Sequence, residues 1–68
     1  MKTVEEYLDR NIKVLQEKAR KDRAFGISYV QRLCRVGYNQ ACHTVERAVE
    51  QGVLVNDEER DWQYRFSS

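Results

Sequence analysis

Residues 26 to 52 read GISYVQRLCRVGYNQACHTVERAVEQG, and their spacing writes two short amphipathic helices around the tight turn Val36-Gly37-Tyr38-Asn39. Ser28 stands where an N-cap is expected, with Gln31 three residues on. That capping-box pattern opens a helix over about Tyr29 to Arg35, with Val30 and Leu33 or Cys34 facing inward. Gly37 is expected to end it, because a residue without a Cβ carries the backbone through positive φ at no steric cost. The next helix restarts at Tyr38 or Asn39 and runs to about Gln51, with Gly52 at the C′ position. Ala41, Val45 and Ala48 repeat at the spacing of a buried stripe. Asn39, Gln40 and His43 stand near the helix start, where a recognition helix offers side chains to base edges. The pattern is that of a helix-turn-helix.

Upstream, Thr3 and Glu6 form another capping box, and Tyr7, Leu8, Ile12 and Leu15, with Val14 or Ala19, make one apolar face. A first helix from about Val4 to Arg20 follows. Lys21 to Arg23 then read as its frayed end or a loop, and Ala24-Phe25-Gly26-Ile27 as a brief extended stretch suited to pairing as a short strand. Downstream of Gly52 the period changes. Val53-Leu54-Val55 is β-prone, Asn56 to Asp61 is a polar turn, and Trp62, Tyr64 and Phe66 alternate with polar residues. The expected fold is mainly α: a winged helix-turn-helix, three helices followed by a β-hairpin wing, in one domain spanning residues 1–68. Its expected core joins Ile12, Leu15, Val30, Val36, Ala41, Val45, Val53 and Trp62.

A chain of 68 residues buries only about 60% of its unfolded surface, so a partner or a staple is worth seeking. Cys34 and Cys42 form no C-x-x-C motif, and a single histidine cannot complete a zinc set. Both cysteines read as small hydrophobes in a reducing cytoplasm, with no metal and no cofactor. The apolar surface of Tyr7, Leu8, Val14 and Leu15 exceeds what a three-helix core is expected to cover, which suggests a homodimer through the N-terminal helix. No apolar run is long enough for a signal peptide or a membrane span. No nucleophile stands beside the histidine and no glycine-rich phosphate loop is present, so no enzyme is expected.

The net charge is only +1, but it is unevenly spread. Residues 1 to 36 hold nine Lys/Arg against five Asp/Glu, and residues 37 to 68 hold three against six. Lys18, Arg20, Lys21 and Arg23 cluster after the first helix, and Arg32 and Arg35 sit on the second. Such a stripe suits a phosphate backbone, although a cationic helix end also satisfies the macrodipole and charge runs are commonly solvated faces.

Over about Ala24 to Leu54 the chain resembles the gamma domain of the FtsK-type bacterial DNA translocases. That domain carries I-S-x-x-Q-R-x-F-R-I-G-Y-N-R-A-A-R, then an acidic residue and a terminating E/A-x-G. The positions shared here include Ile27, Ser28, Gln31, Arg32, Arg35, Gly37, Tyr38, Asn39, Ala41, Glu46 and Gly52. The resemblance implies a winged helix that binds short, asymmetric, guanine-rich DNA and, in the translocases, touches a site-specific recombinase. Two family arginines are replaced, by Gln40 and His43. Arginine is the commonest guanine reader, whereas glutamine suits adenine. With no motor or ATP-binding loop before the domain, the chain looks like a free-standing relative from a phage, plasmid or other mobile element.

The expected partner is therefore double-stranded DNA. Asn39, Gln40 and His43 would read bases, Arg47 would meet the backbone one turn on, and Arg32, Arg35, Lys21 and Arg23 would grip phosphates, with Tyr38 at the turn. Each has a plainer role open to it. Tyr38 packs under the turn or Asn39 caps the third helix; Arg32 and Arg35 pair with Glu46 and Glu50; Gln40 and His43 are simply exposed. The acidic wing, with Asp57, Glu58, Glu59 and Asp61, should be repelled by phosphate. It either points away from DNA or marks a protein-interaction module that binds a recombinase or polymerase.

Overall fold

A computed structural model describes residues 4 to 67. The elements are α1 (Val4–Lys18), α2 (Ile27–Cys34), α3 (Tyr38–Glu50), β1 (Leu54–Asn56) and β2 (Tyr64–Phe66). Three helices thus precede an antiparallel hairpin in register Leu54↔Phe66, Val55↔Arg65 and Asn56↔Tyr64. Helix α1 carries Glu5 and Glu6 in its first turn and Lys18 in its last, charges that complement the helix dipole. The Thr3 half of the expected capping box lies outside the described residues. Leu8, Ile12, Leu15 and Ala19 are buried on one face of this segment, so Leu8 and Leu15 are spent within the chain's own core. Of the other apolar side chains described in α1, Tyr7 is exposed and Val14 half-buried.

The core is apolar except where the three helices meet. There Asn11 Nδ2 donates to Thr44 Oγ1 at 3.1 Å, and the Thr44 hydroxyl donates to the Gln40 carbonyl at 2.7 Å. The Cys34 thiol donates to the Asn11 carbonyl at 3.6 Å, and burial pushes that thiol above its ordinary value. Buried polar groups hold only when paired, and this seam satisfies them across α1, α2 and α3.

Helix ends depart from the sequence expectation. Helix α2 starts at Ile27 with Gly26 as an extended N-cap (φ −104, ψ −178) and no side-chain cap, so Ser28 sits exposed inside the first turn. The cause is Phe25, whose backbone exchanges two 2.8 Å hydrogen bonds with Tyr64 and holds the chain extended up to Gly26. Nor does Gly37 reverse the chain. Arg35 does so, with φ 57 and ψ 50, while the Val36 N–H bonds the Gln31 carbonyl at 3.1 Å. Gly37 (φ −74, ψ 172) is instead the extended N-cap of α3, which displaces Asn39 from that role. At the far end of α3, Gly52 (φ 78) closes a Schellman motif, with Val53 N–H on Ala48 O at 2.9 Å and Gly52 N–H on Val49 O at 3.0 Å.

Phe25 also overturns the expected core. It is 1% exposed, tilted against the Tyr29 and Phe66 rings at 5.2 and 6.0 Å, and fills the space expected of Trp62, which is 67% exposed. The alternation of aromatic residues failed to predict this because β2 begins only at Tyr64. Trp62 lies in the preceding turn, where Gln63 N–H bonds Arg60 O at 3.0 Å. Val36 and Val53 are half-buried at the rim, while Leu54 and Ala48 are fully enclosed.

Candidate nucleic-acid interface

Helix α3 buries Ala41, Thr44, Val45 and Ala48, which turns Asn39, His43, Glu46 and Glu50 to the opposite, exposed face. Its polarity changes along its length. The first two turns carry no carboxylate, and the rest of the outer face is acidic. Gly37 supplies no side-chain cap, so the amide groups that open α3 keep their positive end available to an anion.

Two cationic clefts flank this helix start. Tyr38, one position before Asn39 and 61% exposed, lines a cleft of about 680 Å³ together with Arg20, Arg23, Arg32, Arg60 and Trp62. Gln40, one position after it, lines a second of about 490 Å³ with Arg10, Lys18, Arg35 and Tyr7. No aspartate or glutamate lines either cleft, although the chain holds 11 of them. Among the described residues neither Arg32 nor Arg35 has an ion-pair partner, so the expected alternative of pairing with Glu46 or Glu50 is not taken.

The sequence-expected residues sort accordingly. Arg23, Arg32 and Tyr38 line the first cleft and Arg35 and Gln40 the second, while Asn39 and His43 are exposed on α3 outside both, His43 beside Glu5, Glu46 and Glu50. Two others lie apart. Arg47 donates through Nε to Asp9 Oδ1 at 2.7 Å, which ties α3 to α1, and Gln51 Nε2 joins the same carboxylate at 3.2 Å. This bond holds the Asp9 carboxyl below its ordinary range and raises the Arg47 guanidinium. Lys21, just past α1, turns back on the end of that helix, donating to the Gln16 carbonyl at 2.6 Å with its Nζ 5.1 Å from the Phe66 ring centre.

Sequence reasoning overlooked Arg10, Arg60 and Trp62. Arg60 was hidden among acidic neighbours, yet the turn separates them: Asp57 accepts the Glu59 and Arg60 amides at 3.3 and 3.2 Å. Arg65 approaches Asp57 and Glu58 at 4.0 and 3.6 Å, offsetting part of the acidic tip. The signal that was available for Arg60 and Trp62 is their i, i+2 spacing in a loop.

Among the described residues no cluster of His, Cys, Asp or Glu could hold a metal ion, and no helix is long and apolar enough to cross a membrane. Helices joined by a short turn, with an antiparallel hairpin after the third, define the layout of a winged helix. No protein-family model, curated protein or solved structure matched the chain in comparison.

Proposed function

We propose that this chain is a small, sequence-specific double-stranded DNA-binding protein that regulates transcription, recombination or replication of a phage, plasmid or other mobile element. The observation that carries the reading is the carboxylate-free start of α3, flanked on both sides by arginine-lined clefts. A recognition helix needs neutral polar groups for base edges and cations on either side for the two phosphate backbones. Asn39, Gln40 and His43 supply the first, and Arg32, Arg23, Arg35, Arg10 and Lys18 the second. Glu46 and Glu50 limit groove contact to the first two turns.

Selection from a random duplex pool provides the site, and titration with salt tests the grip. Affinity should fall with salt, and Arg32→Ala and Arg35→Ala should each lower the slope by about one while weakening all sequences alike. Unchanged slopes in both variants would count against the reading. Specificity is tested by Gln40→Arg with His43→Arg. The double variant should gain preference for guanine-rich duplexes, each bidentate pair being worth ~1–3 kcal/mol of discrimination.

A second reading, a winged helix that binds a recombinase or polymerase without reading DNA, is favoured by the acidic groove that Glu5, Glu46 and Glu50 form beside His43. Failure to retain any duplex at low salt would select it. Among the described side chains a homodimer through α1 rests on Tyr7 and Val14, and sedimentation with and without DNA tests it.

A further inference from the structure

The cleft between the start of α2 and the wing has a composition that duplex phosphates do not account for. Four arginines line it, Arg20 and Arg23 from the α1–α2 connection, Arg32 from α2 and Arg60 from the wing turn. None has an ion-pair partner among the described residues. Arg20 stacks on the Tyr29 ring at 4.5 Å, and its Nε is buried without any hydrogen-bond acceptor. Gly26, the uncapped N-cap of α2, lies in the same wall. The unpaired arginines and the open start of α2 suit a phosphate, although the sealed Arg20 Nε does not itself face one. The aromatic rings do not suit a phosphate, because Trp62 and Tyr38, 67% and 61% exposed, line the same space.

Exposed rings beside unpaired arginines fit a ligand that has both a flat π-face and an anion. An intact duplex offers phosphates but keeps its bases stacked inside. An apolar peptide offers no charge for four arginines. An unpaired nucleotide offers both, and about 680 Å³ lies within the range of small-ligand pockets. Tyr38 is also the first residue of α3, so the cleft opens beside the helix start that is proposed to meet the duplex.

We infer that this cleft holds one unpaired nucleotide of a DNA strand running on from the bound duplex, with its base against Trp62 and its phosphate on the arginines. The inference rests on the duplex-binding reading above and adds a preference for a duplex with a single-stranded flank. The protein would thereby select a fork, a nick flap or a melted end over a closed duplex.

Trp62 is the chain's only tryptophan, so it reports on its own contact. The test compares the selected duplex blunt-ended, the same duplex with a short oligothymidine tail on either strand, and free thymidine monophosphate, using anisotropy of labelled DNA and Trp62 emission. One tailed duplex should bind about tenfold more tightly than the blunt form and quench Trp62, as expected for one stacked base. In Trp62→Ala the ratio of tailed to blunt affinity should fall toward one, and Trp62→Phe should retain it. Trp62 is exposed, so these variants keep the fold. Equal affinity for blunt and tailed duplexes without quenching would overturn the inference and leave duplex binding standing. Quenching by the free mononucleotide as strong as by the tail would reassign the cleft to a free nucleotide and overturn it too. Binding to neither duplex would overturn both readings.

Discussion

At the end of α3 the chain reverses through Gly52 with φ 78, and at the end of α2 it reverses through Arg35 with φ 57. The turns are alike: in each, the next amide returns to a carbonyl five residues back, Val53 to Ala48 and Val36 to Gln31. Glycine enters the left-handed region freely, whereas a residue with a Cβ is held there at a cost of roughly 1–2 kcal/mol. Only three residues separate α2 from α3, and Gly37 is already committed as the extended cap of α3, so the reversal falls on Arg35. The difference teaches where the molecule keeps local strain. It lies at the turn that sets an arginine beside the proposed recognition helix, while the turn leading to the wing is relaxed. Such strain persists where surrounding structure imposes it, and it gathers at functional sites.

Gly52→Ala should destabilise the fold by about 1–2 kcal/mol, seen as a fall in melting temperature of several degrees, because alanine meets the left-handed penalty in a small domain. An unchanged melt would show that the two ends do not differ in strain. Arg35→Gly should act in the opposite sense. Relief of the penalty, less glycine's greater unfolded-state entropy, leaves a gain of roughly 0.5 kcal/mol, while DNA affinity and its salt slope both fall. A variant both less stable and equally tight on DNA would remove the functional account of Arg35.

Gly37 sharpens the contrast with a smaller effect. Since its backbone is extended and nothing lies within 4 Å of an added Cβ, Gly37→Ser should fit and cap α3, for a gain of about 0.3 kcal/mol. Loss of stability would place the reversal at Gly37 after all. The smallest effect concerns the tether between α1 and the last turn of α3. Asp9 is held below its ordinary value of 3.8 by Arg47, so its contribution is present at neutral pH and is lost as pH falls past 3.8 through the lower folded value. Asp9→Asn should therefore melt slightly earlier than the parent at neutral pH and equally at pH well below 3.8. Because the pair is exposed, added salt should shrink the gap.

Much of the architecture was legible along the chain. Three apolar stripes at helical period and a change of period after Gly52 mark the helices and hairpin, because these patterns report local geometry. The candidate site was legible in part. Arg23, Arg32 and Tyr38 line one cleft, and Arg35 and Gln40 another, beside the start of α3, while Arg47 and Lys21 are drawn elsewhere by Asp9 and by the end of α1. Spacing along one helix says which face a residue occupies and nothing about what another helix brings to that face. Arg60 and Trp62 escaped notice for the same reason, since their place beside Arg20 depends on how the wing turn folds against α2.

By itself the sequence determined the order of elements, the stop at Gly52, the buried stripe of Ala41, Val45 and Ala48, and the neutral polar start of α3. Each follows from near-neighbour sterics and hydrophobic period, which act within a few residues. Tertiary structure alone decided that Phe25 is enclosed and Trp62 exposed, that Arg35 and not Gly37 takes the left-handed turn, and that arginines from distant segments share a carboxylate-free cleft. Those outcomes depend on which surfaces meet. Phe25 is fixed by a bridge to Tyr64, thirty-nine positions away, and such pairing is settled by packing the whole core at once.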